Sequence, residues 1–201
     1  MIRFSVEQIS LILRSMEGVA HTCGSRNQKE IHFSLDYIKK SANRARDEIM
    51  GVLVHEVVHC YQYNACGTCP GGLIEGIAGR EVDYIMIILT NNGALTDFVR
   101  LHEKLDPPHW KRAPGEKWDA GYDKTGYFLD WIENRYGTGT IRELNESMKD
   151  TIYREAVFKD LTGRSVSKLW NIYRGDFDKE DSEESTTASE SWVTVQQDET
   201  V

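Results

Sequence analysis

The stretch HEVVHCYQYNACGTCPGGLIEGIA, residues 55–78, contains the pattern that determines the fold. Residues 46–64 are apolar nearly all round and predict a buried helix. His55 and His59 lie one turn apart on this helix, so both can reach one metal ion. Glu56 is offset by one residue and can take a proton from a metal-bound water. Two surface histidines beside a glutamate are the alternative interpretation, but three polar groups within an apolar helix favour a metal site.

A catalytic zinc usually has three protein ligands, so the two histidines leave one ligand to be found. Gln62 and Ala65 stand where the glycine and last histidine of HExxHxxGxxH would be, which excludes that pattern. Glu75 follows a Gly/Pro turn, near the start of a helix predicted over residues 73–89 and flanked by glycines. A first-turn charge favoured by the helix dipole is the other role open to Glu75. Because the HExxH pattern precedes it, we predict that Glu75 is the third zinc ligand.

The remaining patterns predict a small sheet followed by helices. Clustered apolar residues predict a strand at Val6–Met16, and alternating apolar and polar residues predict a second at Glu30–Lys39, with a polar turn at His21–Gln28 between them. Residues 106–121, which contain three prolines, predict a loop. Four further helices are predicted, at Asp97–Lys104, Tyr122–Tyr136, Thr140–Lys149 and Thr151–Arg174.

Several other side chains could take part in chemistry. A phenol near zinc can donate to an oxyanion, so Tyr122 and Tyr127 are candidates, and we assign the catalytic role to Tyr122. Packing is the alternative role of both tyrosines. His102 and His109 could act as electrophiles or be ordinary loop histidines. The CGTC sequence at residues 66–69 lacks a second cysteine pair, which favours loop thiols over a structural zinc site.

Charge and hydropathy narrow the classes of partner. Residues 176–201 hold nine acidic residues and one basic residue, which accounts for the whole formal net charge of -8 and predicts a disordered acidic tail. No basic face stands out, so we expect no nucleic-acid partner. The longest apolar stretch, residues 84–89, is too short to span a bilayer, so we expect no membrane partner. The N-terminus shows no signal peptide, which predicts a cytoplasmic protein for the chain as written.

Four segments together resemble the basic secretory protein family, a peptidase-like group of plants, fungi and bacteria. They are residues 55–78 quoted above, DFVRLHEKLDPPHWKR (97–112), KWDAGYDKTGYFLDWIE (117–133) and GRSVSKLWNIY (163–173). The resemblance implies an α+β, zincin-like fold, with a small mixed sheet packed on the HExxH helix and a mainly helical C-terminal part. It implies one such domain at residues 1–175, before the tail.

The resemblance also implies roles for the site residues. His55 and His59 would bind Zn²⁺, Glu75 would be the third ligand, and Glu56 would activate a zinc-bound water to hydrolyse peptide bonds. The strand at residues 31–37 would be the edge strand that holds an extended peptide or protein substrate. The alternative is a non-catalytic zinc-binding or interaction protein that keeps the ligands without turnover. The family name implies secretion as the alternative location, and the oligomeric state is not predicted.

Two features depart from the family pattern. The family usually has more sheet and helix before the first strand, so the expectation is that Met1 is a truncated start. Similar proteins also run EGIA directly into DFVRL, whereas residues 79–96 separate Ala78 from Asp97 here. Without the insertion, Asp97 would follow Glu75 by one helical turn and could orient a ligand histidine.

We predict that residues 79–96 are a retained intron read as protein. Eighteen codons preserve the reading frame, and Gly79 and Thr96–Asp97 can be encoded by splice-site sequences. Deleting residues 79–96 should raise zinc affinity and activity by about 10- to 100-fold, because Asp97 would return to its place beside the ligands. Zinc affinity, melting temperature and cleavage of the two forms test this. Equal or better performance of the longer form would contradict it.

Overall fold

The computed structural model describes residues 6–78, 110–177 and 179, and these residues have an α+β architecture. A three-stranded mixed sheet comes first and a mainly helical part follows, as predicted. The elements are, in chain order, β1 (Gln8–Arg14), β2 (Ala20–Gly24), β3 (Gln28–Ser34), α1 (Leu35–Ser41), α2 (Ala45–Tyr61), α3 (Gly71–Ala78), α4 (Tyr122–Tyr136), α5 (Thr140–Glu146), α6 (Val157–Thr162) and α7 (residues 166–177).

The strand order is β1-β3-β2, with β1 parallel and β2 antiparallel to β3. Ile31 and Phe33 of β3 are buried, and α2 lies against β2 and β3. The prediction that residues 31–37 form the edge strand is therefore wrong, because β3 is central. The edge strand beside α2 is β2, since the order of strands along the chain does not give their order in the sheet.

Strand β3 also ends earlier than predicted. The hydroxyl oxygen of Ser34 accepts a hydrogen bond from the backbone N–H of Tyr37 at 3.2 Å and caps α1, so residues 35–39 are helical. The predicted turn at residues 21–28 was also wrong, because residues 20–24 form β2. This strand has no apolar alternation because its inward side chain, Thr22, is itself polar.

The helical predictions mostly hold in the described part of the chain. Helices α2 and α4 match their predicted segments, the second with the predicted bounds, and residues 110–121 form a loop. The segment at residues 151–174 is instead divided into α6 and α7, because Gly163 ends α6 with a φ of 75°. Residues 79–89 of the second predicted helix and the predicted helix at residues 97–104 lie outside the described residues, as does most of the acidic tail.

Within residues 6–78 and 110–177, no helix is both long and apolar enough to cross a membrane. Helix α7 extends past residue 175, where the domain was predicted to end. Its Asp176 accepts a hydrogen bond from the indole N–H of Trp131 at 3.2 Å, which fixes the end of α7 against α4.

Two glycines allow α3 to lie directly against α4 and the loop before it. A Cβ atom on Gly76 would overlap the side chain of Thr125, and one on Gly72 would overlap the backbone carbonyl of Asp119. Leu73 and Ile77, on the same helix, are fully buried in the core shared with α4. Small residues therefore set the distance between these helices, and so set the position of Glu75.

We expect Gly76→Ala to destabilise the protein by about 1–3 kcal/mol, because the added methyl group forces α3 away from Thr125. The measurement is the free energy of unfolding in urea. Gly126→Ala is the matched control, since nothing lies within 4 Å of its Cβ position on α4. That change should stabilise by about 0.5–1 kcal/mol through helix propensity. Equal effects of the two substitutions would show that the helices do not depend on this contact.

Candidate active site

The three predicted ligands converge at one point. The Nε2 atoms of His55 and His59 on α2 lie 3.0 Å apart, and their rings are almost perpendicular at 89°. Glu75 of α3 brings its Oε2 atom to 3.1 Å from Nε2 of His55 and to 3.7 Å from Nε2 of His59. The i, i+4 spacing on α2 and the turn into α3 thus bring together the residues that the sequence singled out.

The Glu75 carboxylate is kept ionised by the two histidines. Burial alone would raise its pKa, but hydrogen bonds and positive charge from His55 and His59 outweigh burial and lower the pKa to about 2. Glu75 therefore offers a charged oxygen throughout the physiological range. Imidazoles bind a metal ion only in their neutral form, so protons compete with an ion for the two histidines.

Gln62, the residue that ends α2, orients His59. Its side-chain Nε2 donates to the backbone carbonyl of Ile74 at 2.8 Å, which leaves its Oε1 facing Nδ1 of His59 at 2.9 Å. Because a carbonyl oxygen can only accept, the His59 proton lies on Nδ1. The other ring nitrogen of His59, Nε2, faces Glu75. In the sequence, Gln62 stands only where another zinc-binding pattern has its glycine, and no local pattern indicated this contact.

Glu56 is buried and is held by the edge strand. The hydroxyl of Thr22 on β2 lies 2.7 Å from Oε2 of Glu56 and 2.9 Å from its backbone carbonyl oxygen. Thr22 was not predicted as a site residue, because it lies 34 positions away in sequence and inside a segment predicted to be a turn. The carboxylate of Glu56 and the three converging ligands border the same cleft.

Tyr122 begins α4 at the opposite side of this cleft. Its ring stacks on His55 with centroids 6.2 Å apart, and 58 % of the residue is exposed. The negative charge of Glu75, then burial and the charge of Glu56, raise the pKa of the phenol, so it remains a donor at neutral pH. Its backbone has a φ of 41°, a strained conformation for a residue with a side chain.

The cleft has a volume of about 1130 Å³ and runs between β2, α2 and the first residues of α4. Residues 18–24 form one wall, and Tyr122 contributes to the other.

Tyr127 packs against the helical core, which agrees with its alternative role. Burial raises the pKa of Cys69 to about 12, and no metal-binding group found in the described residues includes residues 66–69. His102 and His109 lie outside the described residues.

A model of a family described as a peptidase of plants and bacteria matches residues 2–87 and 91–173. The class of protein is therefore peptidase-like. Because the match extends over nearly the whole chain, the chain belongs to the basic secretory protein family. The break at residues 88–90 falls inside the segment 79–96, whose proposed origin stays a prediction. No curated protein and no solved structure matches the chain.

We expect Gln62→Ala to lower zinc affinity about 10- to 100-fold, because His59 loses the contact that fixes its proton on Nδ1. Gln62→Glu keeps an acceptor for that proton and should retain most of the affinity. Competition with a zinc-sensitive dye measures the affinities. Gln8→Ala, at an exposed position on β1, is the control. Unchanged affinity in Gln62→Ala would contradict the orienting role.

Proposed function

We propose that this chain is a zinc-dependent peptidase of the zincin type, which hydrolyses peptide bonds in extended substrates. The observation that carries the proposal is the convergence of two imidazole nitrogens and one carboxylate oxygen beside the buried Glu56. His55, His59 and Glu75 would hold the ion. Membership of a peptidase family supports the reaction class.

The donor set fits zinc in type and in spacing. Zinc bound tetrahedrally at about 2.0–2.1 Å has ligand atoms about 3.3–3.4 Å from one another. The three separations among His55, His59 and Glu75 are 3.0, 3.1 and 3.7 Å, which bracket that value. Two imidazoles and one carboxylate are a common ligand set of catalytic zinc. Zinc in such a site polarises a carbonyl group and makes a water molecule acidic near neutral pH.

Glu56 is suited to the role of general base. Its position next to His55 on α2 directs the carboxylate into the cleft, and the hydroxyl of Thr22 fixes one of its oxygens at 2.7 Å. A fixed carboxylate can accept the proton of the attacking water and then pass it to the leaving amine. Burial keeps bulk water from competing for that proton.

Tyr122 is suited to stabilise the negative charge that forms on the carbonyl oxygen. Its phenol stays protonated because Glu75 and burial raise its pKa, so it can donate a hydrogen bond. The strained φ at Tyr122 and the stacking on His55 hold the ring beside the cleft. A strained backbone at such a position is typical of functional sites.

Strand β2 is the element that we propose binds the substrate backbone. Among the residues that the structure describes, β2 pairs with β3 along one side and has no strand on its other side, so it is an edge of the sheet. Residues 18–24 also line the cleft that contains Glu56 and the ligands. An extended peptide can pair with such an edge and place its backbone across the site. The antiparallel edge strand over α2 supports the zincin-like arrangement.

The second candidate function is a zinc-binding protein that keeps the three ligands without turnover. The insertion at residues 79–96, which follows Glu75 closely in the sequence, favours this candidate. Both candidates bind zinc, so only a cleavage measurement separates them. The family name favours secretion over the cytoplasmic location predicted from the sequence.

Glu56→Gln should leave zinc bound and abolish peptide cleavage, because the base is lost while the three ligands remain. Glu75→Ala should instead lower zinc affinity by more than about 100-fold, since losing a direct ligand costs more than losing a supporting contact. Cleavage of an unfolded protein substrate and zinc content of the dialysed protein are the measurements.

Glu143→Gln, at an exposed position on α5, is the control for a loss of one carboxylate. Cleavage at the parental rate by Glu56→Gln would contradict the base assignment. Stoichiometric zinc in the parent with no cleavage of any peptide would favour the second candidate.

A further inference from the structure

The outer face of the sheet carries a second group of potential metal ligands. On β2, Thr22 points toward α2, so the residues on either side of it, His21 and Cys23, point to the outer face. In the antiparallel register His21 pairs with His32 of β3, and Cys23 pairs with Glu30. Two imidazoles, a thiol and a carboxyl group therefore occupy adjacent positions on one surface.

The distances within this group suit a metal ion. One ligand atom each of His21, Cys23 and His32 lie within 4.8 Å of one another. Nε2 of His32 lies 3.0 Å from Oε2 of Glu30, close to the spacing of two atoms that share one zinc ion. We propose that these four residues form a second metal site, which binds a divalent ion of the zinc class and clips the edge strand β2 to β3.

Binding requires two local changes, and the exposure of the side chains permits both. The rings of His21 and His32 are stacked, with an interplanar angle of 4° and centroids 4.9 Å apart, so their lone pairs run parallel. One ion can bind both histidines only if a lone pair of each ring points at it. His21 is exposed, so its ring can turn into that position by rotating about its side-chain bonds. Cys23 is exposed as well and can rotate without repacking the core.

The second change concerns Arg14 on β1. Its Nε donates to Nδ1 of His32 at 3.0 Å, which keeps the ring proton on Nε2, facing Glu30. Coordination through Nε2 moves that proton to Nδ1 and ends the contact with Arg14. Arg14 thus competes with the metal ion for His32. A glutamine at this position would remove the competing charge and offer an acceptor to the Nδ1 proton.

The proposed site differs from the cleft site in having a sulfur ligand. His55, His59 and Glu75 supply only nitrogen and oxygen. Among the other thiols, burial raises the pKa of Cys60 to about 11 and of Cys69 to about 12, so neither forms a thiolate readily. Cys66 is exposed and is therefore the natural control for Cys23.

Cobalt(II) titration of the full chain, reduced and free of other metals, tests the proposal. A thiolate bound to cobalt absorbs in the near ultraviolet, and nitrogen or oxygen ligands do not give this band. We expect the band to saturate by about two cobalt ions per chain, because the cleft site can take up one of them without giving the band, and to be bleached by excess zinc. Cys23→Ser should abolish the band, whereas Cys66→Ser should leave it unchanged.

Two further variants show whether the histidines take part. His21→Ala should weaken cobalt binding at least about tenfold, as measured from the same band, because the ion loses a direct ligand. Arg14→Gln should strengthen it, which a thiol acting alone would not show. A band that survives Cys23→Ser, or equal affinities in the parent, His21→Ala and Arg14→Gln, would overturn the proposal. A band absent from the parent would overturn it as well.

Discussion

The contact between α3 and the start of α4 determines where Glu75 and Tyr122 lie in the cleft. Gly76 rests on Thr125, and Gly72 rests on the backbone at Asp119, so neither position can carry a side chain without moving the two segments apart. Glu75 lies between these glycines on α3. The Cβ position of Gly121, directly before α4, would be 3.9 Å from Cβ of Glu75. The interface between α3 and α4 therefore positions both Glu75 and Tyr122, the first residue of α4.

That interface also brings side chains from the sheet side of the fold and from the helical core to the same cleft. Helix α2 contributes two histidines from the side of the sheet, whereas Glu75 belongs to the helical core around Leu73 and Ile77. The carboxylate joins the two parts through its contacts with His55 and His59. An ion held there would tie the parts together, so binding and folding of this region are thermodynamically linked.

The sequence was sufficient for features that depend on local spacing. The four-residue step from His55 to His59, the turn before Glu75 and the bounds of α4 follow from helix periodicity and breaker residues. Contacts between distant segments were not predictable in this way. Thr22 reaches Glu56 because β2 packs against α2, and β2 lacks the apolar alternation of a strand because this inward side chain is itself polar. Ser34 ends β3 by capping a helix, although apolar alternation continues beyond it.

Glu56 and Glu75 both line the cleft but have different surroundings, and this difference suits different chemistry. Glu75 faces two imidazoles and has its pKa lowered to about 2, so it remains an anion. Glu56 faces one neutral hydroxyl, that of Thr22. A hydroxyl can donate one proton and accept others, so it can serve either protonation state of its neighbour.

The two contacts made by the Thr22 hydroxyl have a consequence for the movement of protons. Its single hydrogen can be given to the carboxylate of Glu56, at 2.7 Å, or to the backbone carbonyl of the same residue, at 2.9 Å. When Glu56 is ionised, the carboxylate takes it. When Glu56 is protonated, the hydroxyl can turn its hydrogen to the carbonyl and accept from the new acid. Glu56 can thus change its protonation state by rotation of one O–H bond, with no displacement of α2 or β2 and little reorganisation energy.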